Sequence, residues 1–297
     1  MLNSLIGWLL KKPKVGFAFL SRVDFANKKY YGDFFENLNC NFKVAIHSKD
    51  NARFELPFDC HFINSIDTQW GHISLIEATI LLFENLFHEH NCDIVYLLSD
   101  DTLPLKKSKN FIYNNISTTF TGFTLKKLRK LSEINKHSVN FERFEFNYKK
   151  TSKKFKEKIS LDDFIKQNMF FCISKNDFLD LGVSCNSFIE DTKCWRARWN
   201  CGENKSPLGD IQIYDEWFWV NMMQFKDLDF SLNENFITCD FNWPYRTQAV
   251  IQQSLPQHIN DKYIFARKFL TEPHNLFKNH PNHGGWPNIN YPSVFEQ

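Results

Sequence analysis

The spacing of apolar positions is most regular between residues 69 and 105, QWGHISLIEATILLFENLFHEHNCDIVYLLSDDTLPL. Leu75, Ile76, Thr79, Leu82, Phe83 and Leu86 recur at three- and four-residue steps and draw one apolar helical face. Ser74 and Glu77 have the S-x-x-E spacing of a capping box, which predicts a helix with Ser74 as its N-cap. After a polar break at 88–91, the run Ile94-Val-Tyr-Leu-Leu98 reads as a strand buried on both faces. It stops at the polar cluster Ser99-Asp100-Asp101-Thr102, and Pro104 prevents simple continuation. A helix leading into a buried strand with polar groups at its carboxyl end is how open α/β sheets build ligand sites.

The same reading extends along the chain. Residues 14–20 predict a first strand ending in Ser21-Arg22, residues 30–37 a helix, and residues 42–47 a second strand ending in His47. This β-α-β opening is that of a nucleotide-binding half-sheet. A third short strand is expected within 59–66, a helix at 111–116 and a strand at 119–123. A lysine-rich insertion follows, then a strand at 167–174 with a helix from about 176. Tyr214-Asp215-Glu216 is expected to open a helix whose apolar side carries Trp217, Val220 and Met223. Strands at 236–241 and 263–269 and an irregular tail after 271 complete the pattern.

Composition adds bounds. At 297 residues there is room for a large α/β core, and 43% hydrophobic and 24% charged residues are ordinary for a globular chain. The 32 Phe accompany many Lys and Asn, as AT-rich coding would favour, and carry no functional weight. A net charge of +2 argues against general nucleic-acid binding. The eight cysteines lack C-x-x-C pairs and read as reduced thiols, with Cys194 and Cys201 a pair that an oxidising compartment would allow. His88, His90 and Cys92, and separately His274, His280 and His283, have no zinc-like partner set. The apolar patch of residues 1–13 is followed rather than preceded by Lys11-Lys12, unlike a signal peptide, and no run is long enough to span a bilayer. It is expected to pack on the body, with an interfacial membrane helix as the alternative. The densest basic run, 149–158 with Lys149, Lys150, Lys153, Lys154, Lys156 and Lys158, reads as a solvated face. Its other reading is a contact with anionic lipid or an acidic glycan.

Two segments carry candidate chemistry on residue type alone. Asp215-Glu216 is a carboxylate pair before an aromatic-rich helix: either a helix-dipole pair or a general base. Ser99-Asp100-Asp101 invites a carboxylate metal site, although the D-x-D register is imperfect.

Several of these segments resemble one family. QWGHISLIEA is similar to the W-G-x-x-S-x-V-x-A helix start of the core-2/I-branching N-acetylglucosaminyltransferases and their plant and bacterial relatives, glycosyltransferase family 14. LLSDDTLPL resembles the family's L-L-S-x-x-x-x-P-L segment, with Asp100 at its glycine or glutamate and Thr102 at its aspartate or cysteine. The opening strand resembles K-[VI]-A-F-L-F-L-T-R, with Ser21 for Thr and Arg22 matching, and His47 stands at the family's second-strand histidine. Gln167 and Phe170-Phe171 match G-S-Q-W-F-x-[LI] without its glycine. Glu216 stands at the P-D-E glutamate with Tyr214 for the proline, and Phe265-Ala-Arg-Lys-Phe269 matches F-A-R-K-F.

The resemblance spans residues 14–275 in the family's order. It implies one GT-A-like α/β domain with a central mixed, mostly parallel sheet flanked by helices. Residues 1–13 would be an arm and 276–297 a tail. The implied activity is inverting, metal-independent transfer from a UDP-sugar, N-acetylglucosamine first, to a glycan or lipid-linked saccharide hydroxyl. No cofactor is expected. Having no bilayer-spanning run, the sequence departs from the family's Golgi members, and the expected location is the cytoplasm or the inner face of a membrane. The implied roles are Glu216 as base, Lys268 and Arg246 as the cations on the leaving diphosphate, and Ser21, Arg22, His47, Asp100 and Asp101 around the donor. Asp215, Trp217 and Trp243 fall on the acceptor side, and Trp195 and Trp199 would equally suit sugar stacking. A non-catalytic glycan- or nucleotide-binding protein on the same fold stays open, as does a hydrolase using Asp215-Glu216.

Overall fold

In a computed structural model, residues 13–22, 24–25, 28–68, 72–104, 117–135, 141–151, 153–182, 214–232, 238–240 and 265–267 are described. Strand β1 (Val15–Ser21) is buried at every position, as a strand covered on both faces must be. It pairs in parallel with β2 (Phe42–Ser48) and with β4 (Ile94–Ser99). The rung Leu20, His47, Ser99 crosses all three strands, so they end at one level. A short β3 (His61–Phe62) pairs with Ala45 and Ile46. Only these two residues of the expected 59–66 strand are paired, since the surrounding positions do not form a buried face.

Beyond β4 the direction changes. Strand β7 (Ile165–Ser174) is antiparallel to β4, and β6 (Thr119–Thr124) is antiparallel to β7. With β8 (Ser231–Leu232) the order is β3-β2-β1-β4-β7-β6-β8, a mixed seven-stranded sheet of α/β class. A second, three-stranded sheet joins β5 (Thr102–Pro104), β10 (Phe265–Arg267) and β9 (Thr238–Asp240).

Helices cover both faces. Helix α1 (Lys28–Glu36) brings Tyr31, Phe34 and Phe35 onto Phe17 and Phe19, with ring centroids 5.0 Å apart for Phe17–Phe35 and 5.1 Å for Phe19–Tyr31. Gly16 faces the other way, and a β-carbon there would lie 2.7 Å from Val95 Cγ2 and 3.2 Å from Leu86 Cδ1. Above it run α2 (Ser74–Glu84) and a π turn, Asn85–Glu89. Phe83 and Phe87 of this segment meet Phe178 of α6 (Lys175–Leu181), and Phe83 also meets Trp219 of α7 (Phe218–Phe225). The basic insertion forms α3 (Leu125–Asn135), α4 (Phe141–Lys150) and α5 (Lys153–Lys158).

The start of α2 corrects the capping-box expectation. Ser74 is already helical, and Ile73 at the N-cap position makes no side-chain cap bond. The first turn begins earlier, with Leu75 N–H on the His72 carbonyl at 3.1 Å, and His72 Nδ1 accepts the Ser74 amide at 3.3 Å. An imidazole thus takes one of the amides that the first turn leaves without an intrahelical partner.

Cys40, Cys60, Cys92 and Cys172 are free thiols. Burial pushes Cys92 and Cys172 up to about 12, which keeps both protonated. Among the described residues no helix is long and apolar enough to cross a membrane. The expected helix at 111–116 lies outside the described residues.

Candidate functional site at the carboxyl edge of the sheet

Because β1, β2 and β4 end on one rung, the turns after them share one edge. Each is fixed by a polar side chain. After β2, Ser48 Oγ donates to the Ala52 carbonyl at 2.5 Å, and Asn51 Oδ1 accepts the Ser65 amide at 2.8 Å. His47 is 2% exposed, and its Nε2 accepts the Ile66 amide at 3.0 Å. Only a neutral imidazole can accept there, and burial lowers its pKa against the opposing effect of its own backbone carbonyl. His47 therefore acts as a strut for the loop ahead of α2.

The turn after β4 is tied more tightly. Asp100 Oδ2 accepts the Arg22 backbone amide at 3.1 Å, which joins the ends of β4 and β1. Asp101 Oδ1 accepts the Ser99 hydroxyl. Thr102 Oγ1 donates to the Ser99 carbonyl at 2.6 Å and receives the Tyr31 hydroxyl at 2.6 Å. Burial, with the Asp101 charge adding to it, raises the Tyr31 phenol far above its ordinary value, so it remains a donor. Asp100 and Asp101 are both buried, at 3% and 4% exposure, while Arg22 is exposed. Among the described residues no three His, Cys, Asp or Glu side chains stand together as a metal-holding group.

Strand β5 follows at once, and Thr102 pairs with Arg267 of β10. The segment Thr102–Pro104 is thereby paired with Phe265–Arg267, far along the chain. Lys268, the next residue, lies outside the described residues, as do Arg246 and Trp243.

The Asp215-Glu216 pair reaches this edge through β7. Carrying the pairing of Ile94 with Ser174 and Tyr96 with Cys172 forward puts Gln167 about level with Asp101. Gln167 is fully buried and both ends of its amide are engaged. Its Nε2 donates to the Asp215 carbonyl at 3.1 Å, and its Oε1 accepts the Val220 amide at 2.7 Å. Asn221, also fully buried, exchanges two bonds with Ile165, accepting its amide at 2.9 Å and donating to its carbonyl at 2.7 Å. It donates as well to the Trp217 carbonyl at 2.6 Å. Two side-chain amides thus replace a strand ladder and splice residues 214–225 to β7.

The expected single helix is instead a 3-10 turn, Tyr214–Glu216, a break at Trp217 with φ −153° and ψ −20°, and then α7. Trp217 is corrected from its expected acceptor-side role. It is 1% exposed, with its ring 5.5 Å from Phe164 and 6.4 Å from Phe218, so it is a core side chain with no face for a sugar. Asp215 is buried, whereas Glu216 is 28% exposed and lies 3.7 Å from Lys166 Nζ. Lys166 in turn sits 6.0 Å over the Phe144 ring of α4. A partly buried carboxylate, with an ammonium beside it, can take a proton from a hydroxyl delivered to this edge.

Gly122 lets β6 approach here. A β-carbon on it would fall 2.5 Å from the Lys166 carbonyl oxygen and 2.9 Å from Gln167 Cα, both backbone atoms, where the β6–β7 register shifts. The residues that sequence reasoning did not place in the site are Tyr31, Lys166, Gln167 and Asn221. Asn221 carried a signal, being an amide four residues after Trp217 on an apolar helix. Lys166 carried none.

No protein-family model matches the chain, and no curated protein matches it in sequence.

Proposed function

We propose that the protein is an inverting glycosyltransferase of GT-A-like fold, similar to the core-2/I-branching family, that uses a UDP-sugar donor. The donor sugar is N-acetylglucosamine as first choice, and the acceptor is a hydroxyl of a glycan or lipid-linked saccharide. One observation carries the reading: motifs far apart in sequence meet at the carboxyl edge. Ser99–Thr102 is bonded to the end of β1 and to the strand leading into Lys268. The Asp215-Glu216 turn is locked to β7 at about the same level.

In this reading the acceptor oxygen attacks the anomeric carbon from the face opposite the diphosphate. Glu216 takes the hydroxyl proton as the new C–O bond forms, and the bond to UDP breaks with inversion. Lys268 and Arg246 neutralise the leaving diphosphate, the work a divalent ion would otherwise do. Asp100 and Asp101 are held by the Arg22 amide and the Ser99 hydroxyl, so their role is to shape the donor loop. The test is UDP release from a panel of UDP-sugars, with and without saccharide acceptors and with excess EDTA. Acceptor-dependent release that survives EDTA is expected. Binding of UDP without turnover would favour a non-catalytic protein, release without acceptor a hydrolase, and loss to EDTA with recovery in Mn²⁺ a metal-dependent site.

A further inference from the structure

The charge of the chain is unevenly distributed. Residues 125–158 hold twelve Lys and Arg against four Glu and no Asp, a net +8. The whole chain is +2, so all other residues together carry −6. This basic block is α3, α4 and α5, inserted between the end of β6 and the start of β7. Strand β6 runs in the same direction as β4, so its carboxyl end and the start of β7 lie at the same edge as Ser99–Thr102. The whole insertion therefore rises from the edge that carries the candidate site, and Phe144 of α4 underlies Lys166, the partner of Glu216.

The block has an oily inside and a basic outside. Phe144, Phe155, Ile159 and Phe164 are buried, and Phe155 stacks on Phe225 with centroids 5.6 Å apart. Lys126, Lys130, Lys149, Lys154 and Lys156 are exposed and form no ion pair among the described residues. Lys153 meets Glu157 at 3.6 Å, but with 92% of its side chain exposed that pair neutralises little.

We infer that this layer docks the protein on an anionic lipid bilayer, with the carboxyl edge of the sheet turned towards the membrane. A cluster of exposed lysines on three short helices suits a diffuse layer of anionic headgroups. Binding single-stranded nucleic acid would need aromatic faces for bases to stack on, and Phe144, Phe155 and Phe164 are turned inwards. Ten of the twelve cations are Lys, a point charge without the forked geometry that reads phosphates and bases. The proposal goes beyond the transferase reading and stands without it.

Flotation of the full chain with vesicles of phosphatidylcholine, alone or mixed with phosphatidylglycerol, tests it without donor or acceptor present. A failed transferase assay therefore leaves this result untouched, and the reverse also holds. The native protein is expected to float with the anionic vesicles only, and to be released as salt is raised. Each lysine near the surface strengthens partition roughly fivefold. Replacing Lys149, Lys153, Lys154 and Lys156 by Gln together should then weaken it by on the order of 10²-fold or more, with the melting temperature close to native. Failure of the native protein to float with anionic vesicles at low salt overturns the inference, as does undiminished flotation of the quadruple variant. Tighter retention on a DNA duplex than on those vesicles at the same salt would make the surface a nucleic-acid one and overturns it too.

Discussion

At the amino edge of the sheet, Asp93 accepts the Lys14 amide at 2.7 Å, its own amide reaches the Lys14 carbonyl at 2.8 Å, and its carbonyl takes the Lys175 amide at 2.9 Å. Lys14 Nζ closes on the His90 carbonyl at 2.5 Å, and Lys175 Nζ on Asn91 Oδ1 at 2.6 Å. Charged side chains there tie β1, β4 and β7 to one another. At the carboxyl edge β1 and β4 end in turns that hold Asp100 and Asp101, and the Asp215-Glu216 turn is bonded to the start of β7 through Gln167. Some are spent on neighbouring backbone, as Asp100 is on Arg22, while Glu216 keeps a partly exposed carboxylate. One edge is a fastening and the other a shaped surface, and the proposed chemistry belongs to the second.

The comparison breaks most sharply at Glu216. Glu216→Gln should lower turnover by on the order of 10²-fold or more with donor affinity nearly unchanged. Asp93→Asn at the other edge should cost about 1–3 kcal/mol of stability and leave turnover per folded molecule intact. Denaturant melts and steady-state kinetics on both variants check this.

Next in size is the diphosphate. Lys268→Ala and Arg246→Ala should each weaken UDP binding by about ten- to a hundredfold, the loss of one charge-assisted contact. In the double variant the losses should be non-additive if both hold one diphosphate. Titration calorimetry decides it.

Gly122→Ala probes the support of the edge rather than its chemistry. Its β-carbon would meet the Lys166 carbonyl, which no rotamer change can relieve. A stability cost of about 1–3 kcal/mol is expected, together with a fall in kcat as Gln167 moves under Asp215. Crystal structures or exchange rates at 214–220 would register the shift.

The smallest effect is the pH dependence of His47. Its folded pKa lies below the ordinary 6.5, so the unfolded chain binds the proton more readily. The stability it supports is complete above 6.5 and is lost as pH falls through the folded pKa. His90 at the amino edge is held down as well, by burial first and then by His61 and Lys43. The test is therefore His47→Gln alone, which should flatten the acid limb of melting temperature against pH without abolishing it.

Much of this arrangement was legible in the residues. The short, β-branched and aromatic apolar runs of β1 and β4, and of β2 apart from Lys43, read as buried strands, and their common polar endings point to one edge. The basic insertion was visible as charge, though not as three helices, because Phe144 and Phe155 anchor it through contacts distant in sequence. Two strands of the second sheet, β9 and β10, fall within the expected strands at 236–241 and 263–269, but their joining with β5 was hidden, because Thr102 meets Arg267 only through the fold. The ladder of Gln167 and Asn221 was hidden for a related reason: a buried amide announces that it has partners but not which ones. Trp217 misled because an aromatic beside a carboxylate pair looks like a sugar platform until its burial is known.

The most direct measurement of the central claim is amide hydrogen exchange with and without UDP. The donor is expected among the turns that close β1, β2 and β4. UDP should therefore slow exchange at Arg22, Ile66 and residues 99–103, and leave the amides of Lys14, Asp93 and Lys175 unchanged. Protection confined to the amino edge, or no change at 99–103 with UDP at saturation, would contradict it.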